Sequence, residues 1–211
     1  NGKRVLGPQD DILAVKNAFA VYKMLSELDP FSLEDLKKAH GVMMNGLVEG
    51  SGELRTGSVG VINEQGKVIH VAPPHGMVKG LMEQLFDWLK ASKTQMLIRS
   101  SIFHYEFEFI HPFMDGNGRT GRLWQTALLA SWKPIFEWIP IESIIKDNQE
   151  EYYRAIGIST AEGKSNRFIL FMLSVIKKAV AELARDTYNH QSHISNQIRA
   201  LMSVIETYPM S

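Results

Sequence analysis

A short segment near the middle of the chain holds most of the residues that can carry out chemistry. It runs His-Pro-Phe-Met-Asp-Gly-Asn-Gly-Arg-Thr-Gly-Arg, from His111 to Arg122. An imidazole, a carboxylate, a glycine-flanked turn and two guanidinium groups therefore lie close together along the chain. Apolar residues on both sides recur with helical periodicity. The segment is predicted to be an anion-binding loop between two helices, with its own base and metal ligand.

The glycines of this segment favour an anion cradle. Gly116-Asn117-Gly118 comes directly before a predicted helix, and glycine permits the positive φ angles and close backbone approach that a cradle of N–H groups needs. The helix N-terminus adds roughly half a positive charge. Arg119 and Arg122 are spaced to share one face of that helix. Two guanidinium groups on one ligand favour a triphosphate over a single phosphate.

The two remaining polar residues suit nucleotide chemistry. Asp115 is the sole carboxylate nearby, and it can hold Mg²⁺ through one oxygen while phosphate oxygens and water supply the other ligands. His111 has an unperturbed pKa of about 6.5, which suits a general base at neutral pH. Together these residues predict Mg²⁺-nucleotide chemistry with a proton acceptor.

Other nucleotide and metal sites do not match the sequence. The chain has no Gly-x-x-x-x-Gly-Lys-Ser/Thr segment, which excludes a P-loop, and no dinucleotide-binding fingerprint. A zinc site from His104 and His111 is disfavoured because no third ligand lies at an expected offset. Taken singly, a Gly-Asn-Gly turn, a His-Pro pair or two arginines on a helix is usually structural. Their occurrence in one short window favours function.

Composition limits the class of protein. The 211 residues suit one globular domain or one domain with an appendage. Lys plus Arg and Asp plus Glu each number 23, so no overall field favours nucleic acid or an anionic membrane. The absence of cysteine excludes disulfides and thiolate metal sites, and no apolar run reaches the roughly 20 residues of a membrane span. The chain starts at Asn1 without methionine, as a fragment of a longer protein would.

Apolar periodicity predicts a helical bundle with one β-hairpin. Two β-branched runs, Val59–Ile62 and Val68–Val71, flank a glycine-bearing turn and read as the hairpin strands. The segment Met96–Ile110 is apolar on most sides, which predicts a central, buried helix. The remaining predicted helices are Asp10–Leu28, Ser32–Leu47, Met77–Lys90, Arg119–Trp132, Glu142–Ile156, Ala161–Tyr188 and Ser192–Tyr208. Ser32 and Thr94 are the predicted caps of their helices, and His40 is interpreted as structural.

The segment from His111 to Arg122 resembles the signature of the Fic family, His-x-Phe-x-Asp/Glu-Gly-Asn-Gly/Lys-Arg-x-x-Arg, and every defined position is met. The similarity continues on both sides. Gly52–Arg55 resembles the strand that enters the family's target-binding flap, Val71–Pro74 its exit, and His104–Phe107 the helix before the signature. It covers about Ser32 to Leu173.

The resemblance implies a protein adenylyltransferase, which moves AMP from ATP to a Ser, Thr or Tyr hydroxyl of a target protein. It implies His111 as the general base and Asp115 as the ligand of a Mg²⁺ that bridges the α- and β-phosphates. Arg119 would neutralise the leaving pyrophosphate, and Arg122 would hold the γ-phosphate. The implied nucleotide-binding residues are Asp115, Gly116, Asn117, Gly118, Arg119, Arg122, Tyr152 and Tyr153. Which of the two tyrosines faces the adenine is left open.

The same resemblance implies an all-α, Fic-type helical bundle whose β-hairpin is a flap. An extended target segment would pair with the flap edge, along the residues Val59, Gly60, Val61 and Ile62. The implied organisation is an N-terminal helix packed on the core, a Fic domain with flap and active-site loop, and a C-terminal helix that would open a truncated extension. In order, these are residues 1–31, 32–190 (flap about 52–74, loop 111–122) and 191–211.

Regulation and rival functions are also implied by the resemblance. Many Fic proteins carry an inhibitory helix whose glutamate pairs with the second signature arginine, here Arg122. No convincing copy of its motif occurs in the chain, so the glutamate is expected in upstream sequence or in a separate protein. Other Fic transferases, a de-AMPylase and a non-catalytic interaction module are the alternatives, although Gly118 favours nucleotidyl over kinase-type transfer. The expected partners are ATP and a target protein in a bacterial cytoplasm, with no nucleic acid, no membrane and an undetermined oligomeric state.

Overall fold

The computed structural model describes residues 8–62, 66, 68–188, 201 and 203. These residues form an all-α bundle with one β-hairpin, which confirms the predicted fold class. The helices are α1 (Gln9–Lys23), α2 (Leu33–Met43), α3 (His75–Ala91), α4 (Met96–Ile110), α5 (Asn117–Trp132), α6 (Ile141–Asp147), α7 (Gln149–Glu162) and α8 (Asn166–Tyr188). The strands are β1 (Gly60–Ile62) and β2 (Val68–Val71), and short 3₁₀ helices lie at Leu25–Glu27 and Pro134–Trp138.

The centre of the bundle is α4, as its apolar sequence predicts. Phe103, Phe107 and Ile110 are buried, and α4 contacts α3, α5 and α8. A helix that is apolar on most of its circumference is stable in a soluble protein only when other elements surround it. The loop that follows α4 therefore starts from a rigid, buried support.

Helix α5 packs against α4 at a glycine. A Cβ on Gly121 would lie 2.8 Å from Glu108 Oε1, 3.2 Å from Phe107 Cδ1 and 3.3 Å from His104 Cδ2. Distances this short leave no room for a side chain in a closely packed interior. The bare backbone at Gly121 thus lets α4 and α5, the two helices that flank the loop from His111 to Gly116, approach each other.

The hairpin lies on one side of the bundle. Its register pairs Gly60 with Val71, Val61 with His70 and Ile62 with Val68, with an irregularity between Val61 and Ile62. Val61 and His70 are buried, and β2 lies against α7. This contact provides the support that a two-stranded hairpin needs in water. Most of the predicted turn, residues 63–65 and 67, is outside the described residues.

Several predicted helix boundaries are wrong. α1 ends at Lys23 and α2 at Met43, before the predicted Leu28 and Leu47. One helix is predicted over residues 142–156, but the chain breaks at Asn148, whose side chain donates to Ile144 O at 2.7 Å and competes with main-chain N–H groups for that carbonyl. The last long helix is predicted from Ala161, but Gly163 ends α7 in the left-handed conformation with φ 62°. The errors at Asn148 and Gly163 have one cause. The apolar pattern continues past each of these residues, so the periodicity does not show that the helix ends there.

The predicted caps are partly confirmed. Ser32 caps α2 and accepts from the Asp35 N–H at 3.2 Å. The Asp35 carboxylate accepts from the Asp29 N–H at 2.8 Å, which is not the reciprocal bond of a capping box. Gln95, rather than the predicted Thr94, caps α4, because its side chain accepts from a first-turn N–H at 2.7 Å.

Part of the predicted organisation falls outside the described residues. The predicted helix Ser192–Tyr208 is described only at Leu201 and Ser203, which are both helical. In the part of the chain that the structure describes, no helix is both long and apolar enough to cross a membrane. What stays a prediction is the division into residues 1–31, 32–190 and 191–211.

The close packing at Gly121 can be tested with a pair of alanine variants. Gly80→Ala places the methyl group in open space on α3, so it should raise the free energy of unfolding by about 0.5–1 kcal/mol through helix propensity. Gly121→Ala should lower that free energy by about 1–3 kcal/mol, because the methyl group must push α4 and α5 apart. Urea denaturation followed by circular dichroism measures both. Equal effects of the two substitutions would contradict the packing.

Candidate active site

The loop begins with an abrupt change of direction at His111. This residue is the C-cap of α4, with φ 49° and ψ 63°, and it is the one non-glycine residue with positive φ in the described part of the chain. Its N–H donates to Phe107 O at 2.8 Å. The left-handed conformation costs a non-glycine residue about 1–2 kcal/mol. Contacts from elsewhere in the protein must therefore hold His111 in place.

The loop is closed by the side chain of Asn117, the first residue of α5. Its Oδ1 accepts from the Phe113 N–H, and its Nδ2 donates to Phe113 O, both at 2.9 Å. Gly116 has φ 80°, and a Cβ there would lie 2.5 Å from Met44 Sδ, so only glycine fits. The Asn117 amide is thus used inside the loop, which leaves its main-chain N–H for a ligand.

His40, on α2, packs against the loop and bonds to it. Its ring stacks on Phe113 with 3.6 Å between ring centroids. Its Nδ1 accepts from the Gly52 N–H at 2.8 Å, so its Nε2 carries the hydrogen and donates to Asp115 O at 2.9 Å. His40 is buried, and burial lowers its pKa. It therefore has the structural position that its sequence context predicts.

Asp115 and Arg119 lie at the N-terminal end of α5. Asp115 Oδ1 accepts from the Gly116 N–H at 2.6 Å, and Oδ2 lies 3.9 Å from Arg119 Nη2. Asp115 is exposed and Arg119 is half-buried. Ion pairs in such positions contribute little to stability, so a ligand can replace this one at small cost.

Arg122 is held more firmly, by a carboxylate from α6. Its Nε lies 3.2 Å from Glu142 Oε1, and Tyr22 Oη on α1 donates to the other oxygen of the same carboxylate at 2.8 Å. Arg122 Nη1 lies 3.2 Å from the position of a Cβ on Gly118. Glu142 therefore fixes the Nε side of the guanidinium, while Nη1 lies beside the glycine turn.

A buried carboxylate lies behind His111. Glu108 Oε2 is 3.7 Å from His111 Nδ1, and Glu108 Oε1 is 3.8 Å from His104 Nε2. Burial raises the pKa of Glu108 to about 7, and the positive charge of Arg122 opposes that rise. Burial lowers the pKa of His104 to about 3, so this imidazole is neutral. The loop therefore rests on a polar layer between α4 and α5.

His111 itself is kept in the form that a base needs. Burial lowers its pKa to about 4, the hydrogen bond to Glu108 O opposes this shift, and the charge of Arg55 adds to it. His111 Nδ1 lies 3.3 Å from Glu108 O. Because a carbonyl oxygen only accepts, Nδ1 carries the hydrogen and Nε2 keeps a free lone pair. At neutral pH the residue can take up a proton at Nε2.

The hairpin is attached to α4 next to His111. His70 on β2 is buried, its Nε2 lies 2.7 Å from Phe109 O, and its ring stacks on Phe109 at 4.5 Å. Phe109 precedes His111 by two positions, so β2 is held against the last turn of α4. Of the predicted flap residues, Gly60 and Val61 lie in β1 and Val59 directly precedes it, so all three belong to the hairpin that His70 holds against α4. Ile62 is in β1, but its side chain is outside the described part of the structure.

The two candidate adenine contacts differ in exposure. Tyr152 is buried, with its Oη 3.1 Å from His104 Nε2. Tyr153 packs edge to face on Tyr152 at 5.5 Å and is half-buried. Tyr153 is therefore the one of the pair that a nucleotide can reach from the surface, and its role stays a prediction.

Asp115 fits a metal site that is completed by substrate. Among the described residues, no three His, Asp or Glu side chains form a group that could hold a metal ion. Mg²⁺ is commonly bound by one or two carboxylates together with substrate phosphates and water. The exposed Oδ2 of Asp115, which lies 3.9 Å from Arg119 Nη2, matches that type of ligand.

Four residues of the site are missing from the sequence predictions: Arg55, His70, Glu108 and Glu142. Glu108 had a usable signal, because it is a charged residue in the last turn of a helix predicted to be buried, three positions before His111. Glu142 and His70 meet their partners only through the folded chain, so no local pattern marks them. Sequence spacing identifies site residues that lie in one continuous segment. It misses residues that other helices or strands bring to the site.

Comparisons with known proteins agree with this geometry. Residues 30–129 match the model of the Fic/DOC family. A protein adenylyltransferase Fic from Drosophila mojavensis is 29% identical over 177 residues, which is 80% of this chain and 31% of that protein. A probable protein adenylyltransferase from Aquifex aeolicus is 47% identical over 58 residues, which is 27% of this chain and 18% of that protein. The matched part of the chain thus spans less than a third of either relative.

Solved structures give the same result. A Fic family protein from Desulfovibrio desulfuricans superposes with a TM-score of 0.84 at 45% identity, over 88% of this chain and 57% of that one. Fic-1 from C. elegans superposes with a TM-score of 0.68 over 90% of this chain and 56% of that one, and its 22% identity supports the fold alone. The domain formed by residues 30–129 therefore belongs to the Fic/DOC family.

Proposed function

We propose that this chain is the catalytic part of a protein adenylyltransferase, which moves AMP from ATP to a Ser, Thr or Tyr hydroxyl of a target protein. One observation carries the proposal. A neutral imidazole with a free Nε2, at His111, shares a closed loop with the anion-attracting N-terminus of α5 and its two arginines. The relatives named protein adenylyltransferase support the same activity.

In the proposed reaction, His111 starts the transfer. Its Nε2 takes the proton of the target hydroxyl, and the hydroxyl oxygen attacks the α-phosphorus of ATP. The bond from that phosphorus to the oxygen bridging the β-phosphate breaks, so AMP joins the target and pyrophosphate leaves. The proton then passes from His111 to solvent. A pKa well below neutrality keeps the base ready, because no proton has to be removed first.

The N-terminal part of α5 would bind the phosphates. The main-chain N–H groups after Gly116, the glycine at position 118 and the positive helix end favour negative charge. Arg119 would neutralise the leaving pyrophosphate, and Arg122 would hold the γ-phosphate through its Nη side. Asp115 would hold Mg²⁺, which when bound supplies charge neutralisation on the phosphates. Positioning and charge provide most of the catalysis in such reactions.

The hairpin would present the target. An extended target segment would add to its edge by main-chain hydrogen bonds, with few demands on side-chain identity. Val68 and Val71 are exposed, and His70 ties β2 to the last turn of α4. A segment bound along the hairpin would thereby be held at a defined distance from the base.

Replacing the base should abolish transfer. His111→Ala, incubated with α-labelled ATP, Mg²⁺ and a lysate, should label targets at least about 10²-fold more slowly than the wild type, which is the usual contribution of a general base. His75→Ala is the matched control, since His75 is exposed in the first turn of α3. Unchanged labelling by His111→Ala would remove the role of His111. Labelling from γ-labelled ATP alone would indicate kinase chemistry instead.

Removing Arg122 should weaken ATP binding. Arg122→Ala deletes the guanidinium beside the glycine turn, and we expect the Kd for ATP to rise about tenfold or more, as for loss of a charge-assisted hydrogen bond. The control is Arg154→Ala, because Arg154 is exposed and pairs only with Glu151 at 2.6 Å in the described structure. Equal Kd values for the two variants would contradict the assignment.

Restraint of the enzyme would act on the same arginine. We propose that a glutamate from an inhibitory helix, upstream in the protein or in a separate chain, pairs with the Nη side of Arg122 and competes with the γ-phosphate. In the Arg122→Ala experiment, a peptide carrying that helix should then lower ATP binding by the wild type and leave the variant unaffected. Equal effects of the peptide on both proteins would refute this.

The pH dependence should reflect the low pKa of His111. The neutral imidazole is the active form, so the transfer rate should stay level as the pH falls through 6.5 and decline only toward pH about 4, where the ring becomes protonated. NMR of the His111 ring locates its titration directly, and circular dichroism shows whether the protein stays folded over the same range. A ring that titrates near its ordinary value, together with a rate that falls there, would contradict the geometry.

A further inference from the structure

Arg55 lies between the hairpin and the active-site loop, and nothing so far assigns it a function. It is buried, and within the described part of the chain its side chain makes four hydrogen bonds, all to main-chain carbonyl oxygens. Nε donates to His111 O at 2.8 Å, and Nη2 donates to Ile110 O at 3.2 Å. Nη1 donates to Gly57 O at 2.8 Å, and Nη2 also donates to Pro73 O at 2.6 Å.

One group of these contacts explains the turn at His111. The Arg55 N–H donates to Pro112 O at 2.9 Å, so main chain and side chain together take up the carbonyls of Ile110, His111 and Pro112. Carbonyls at a helix C-terminus lack partners within the helix and carry partial negative charge, which favours a cation there. The orientation of the peptide after His111 is thereby fixed. These bonds offset the cost of its left-handed backbone.

The other group of contacts reaches the hairpin. Gly57 precedes β1 and Pro73 follows β2, so these two residues mark the two ends of the hairpin, called its roots. The roots are also bonded to each other, because the Ala72 N–H donates to Val59 O at 3.3 Å. One guanidinium therefore contacts both roots of the hairpin and the peptide of the base. The five N–H groups of arginine lie in a rigid plane, so these bonds fix directions as well as distances.

The charge of Arg55 has no carboxylate partner. No Asp or Glu among the described residues lies within ion-pair distance of it, so carbonyl dipoles alone compensate it. A buried cation held this way is costly unless every contact is in place. An apolar side chain at this position would leave these carbonyl oxygens without a donor. The charged group is consistent with a need for rigid geometry at this junction.

We propose that Arg55 is a positioning residue that fixes the target-binding hairpin relative to His111, so that a hydroxyl presented by the hairpin reaches the base at the correct distance. This inference rests on the proposed function. Arg55 does not touch the phosphate-binding residues of α5 in the described structure, so it should affect transfer and leave ATP binding intact.

The test compares Arg55→Lys with Arg99→Lys. Lysine keeps the charge and loses the planar set of donors. Arg99 is the matched control because it also donates to carbonyls, those of Leu89 and Ser92, but near the opposite end of α4. With α-labelled ATP and a target segment, Arg55→Lys should lower kcat by about 10²-fold, as expected for misplacement of a reacting group, with the KM for ATP unchanged. Arg99→Lys should change neither. An unchanged kcat in Arg55→Lys, or a rise in the KM for ATP that matches the fall in kcat, would overturn the proposal.

Amide hydrogen exchange provides a readout that does not depend on activity. In Arg55→Lys, the amides of Ala72 and His111 should lose protection, while core amides of α3 and α8 keep theirs. Equal loss throughout would show general destabilisation and overturn the proposal, as would full protection of the hairpin. If the wild type transferred no AMP, the proposed function would fail, and amide exchange would still decide whether Arg55 joins the hairpin to His111.

A measurement on the wild type covers the case in which Arg55→Lys does not fold. The Arg55 Nε–H is buried and bonded, so its NMR signal should exchange slowly with water. The Nε–H of exposed Arg154 is the reference. Exchange of Arg55 as fast as that of Arg154 would rule out a fixed guanidinium.

Discussion

The close approach of α4 and α5 at Gly121 is the constraint on which the rest of the site depends. The loop from His111 to Gly116 is short, and it can connect the end of one buried helix to the start of the next only if their axes lie near each other. A side chain at position 121 would separate them, because Glu108, Phe107 and His104 occupy that space. With the helices together, the His111 imidazole and the positive end of α5 lie at the two ends of one short loop. The geometry of the candidate site therefore depends directly on how α4 and α5 pack.

The layer between these helices is polar where an apolar one would be easier to stabilise. Glu108, His104 and Tyr152 are buried together, and the charge of Arg122 offsets part of the cost of the carboxylate. This layer also orients the groups in front of it. Glu108 O accepts from His111 Nδ1 and so selects the tautomer with a free Nε2. Arg122 is oriented similarly: Glu142 on α6 accepts from its Nε, and Tyr22 on α1 holds the other oxygen of Glu142.

Much of the fold and the loop follows from local sequence, and the remainder depends on contacts distant in sequence. The apolar periodicity of α3, α4 and α5, the two β-branched runs of the hairpin and the order His111, Asp115, Arg119, Arg122 are properties of continuous segments, so they could be predicted. The breaks at Asn148 and Gly163 could not, since the apolar pattern runs past both. Neither could the burial of Tyr152 or the use of the Asn117 amide inside the loop, because each depends on which element packs opposite. The roles of the loop residues stay predictions until activity is measured.

The contacts of Arg55 have a consequence for how such a domain can diversify. All its acceptors are main-chain carbonyls, at Gly57, Pro73, Ile110 and His111, and a carbonyl oxygen is the same in every residue. Under the proposed function, substitutions along the hairpin can therefore change which target surface it binds without disturbing its attachment to His111. Target binding and transfer would then be joined through main-chain oxygens, which every residue type carries. A domain built this way can acquire new targets while its catalytic geometry is inherited intact.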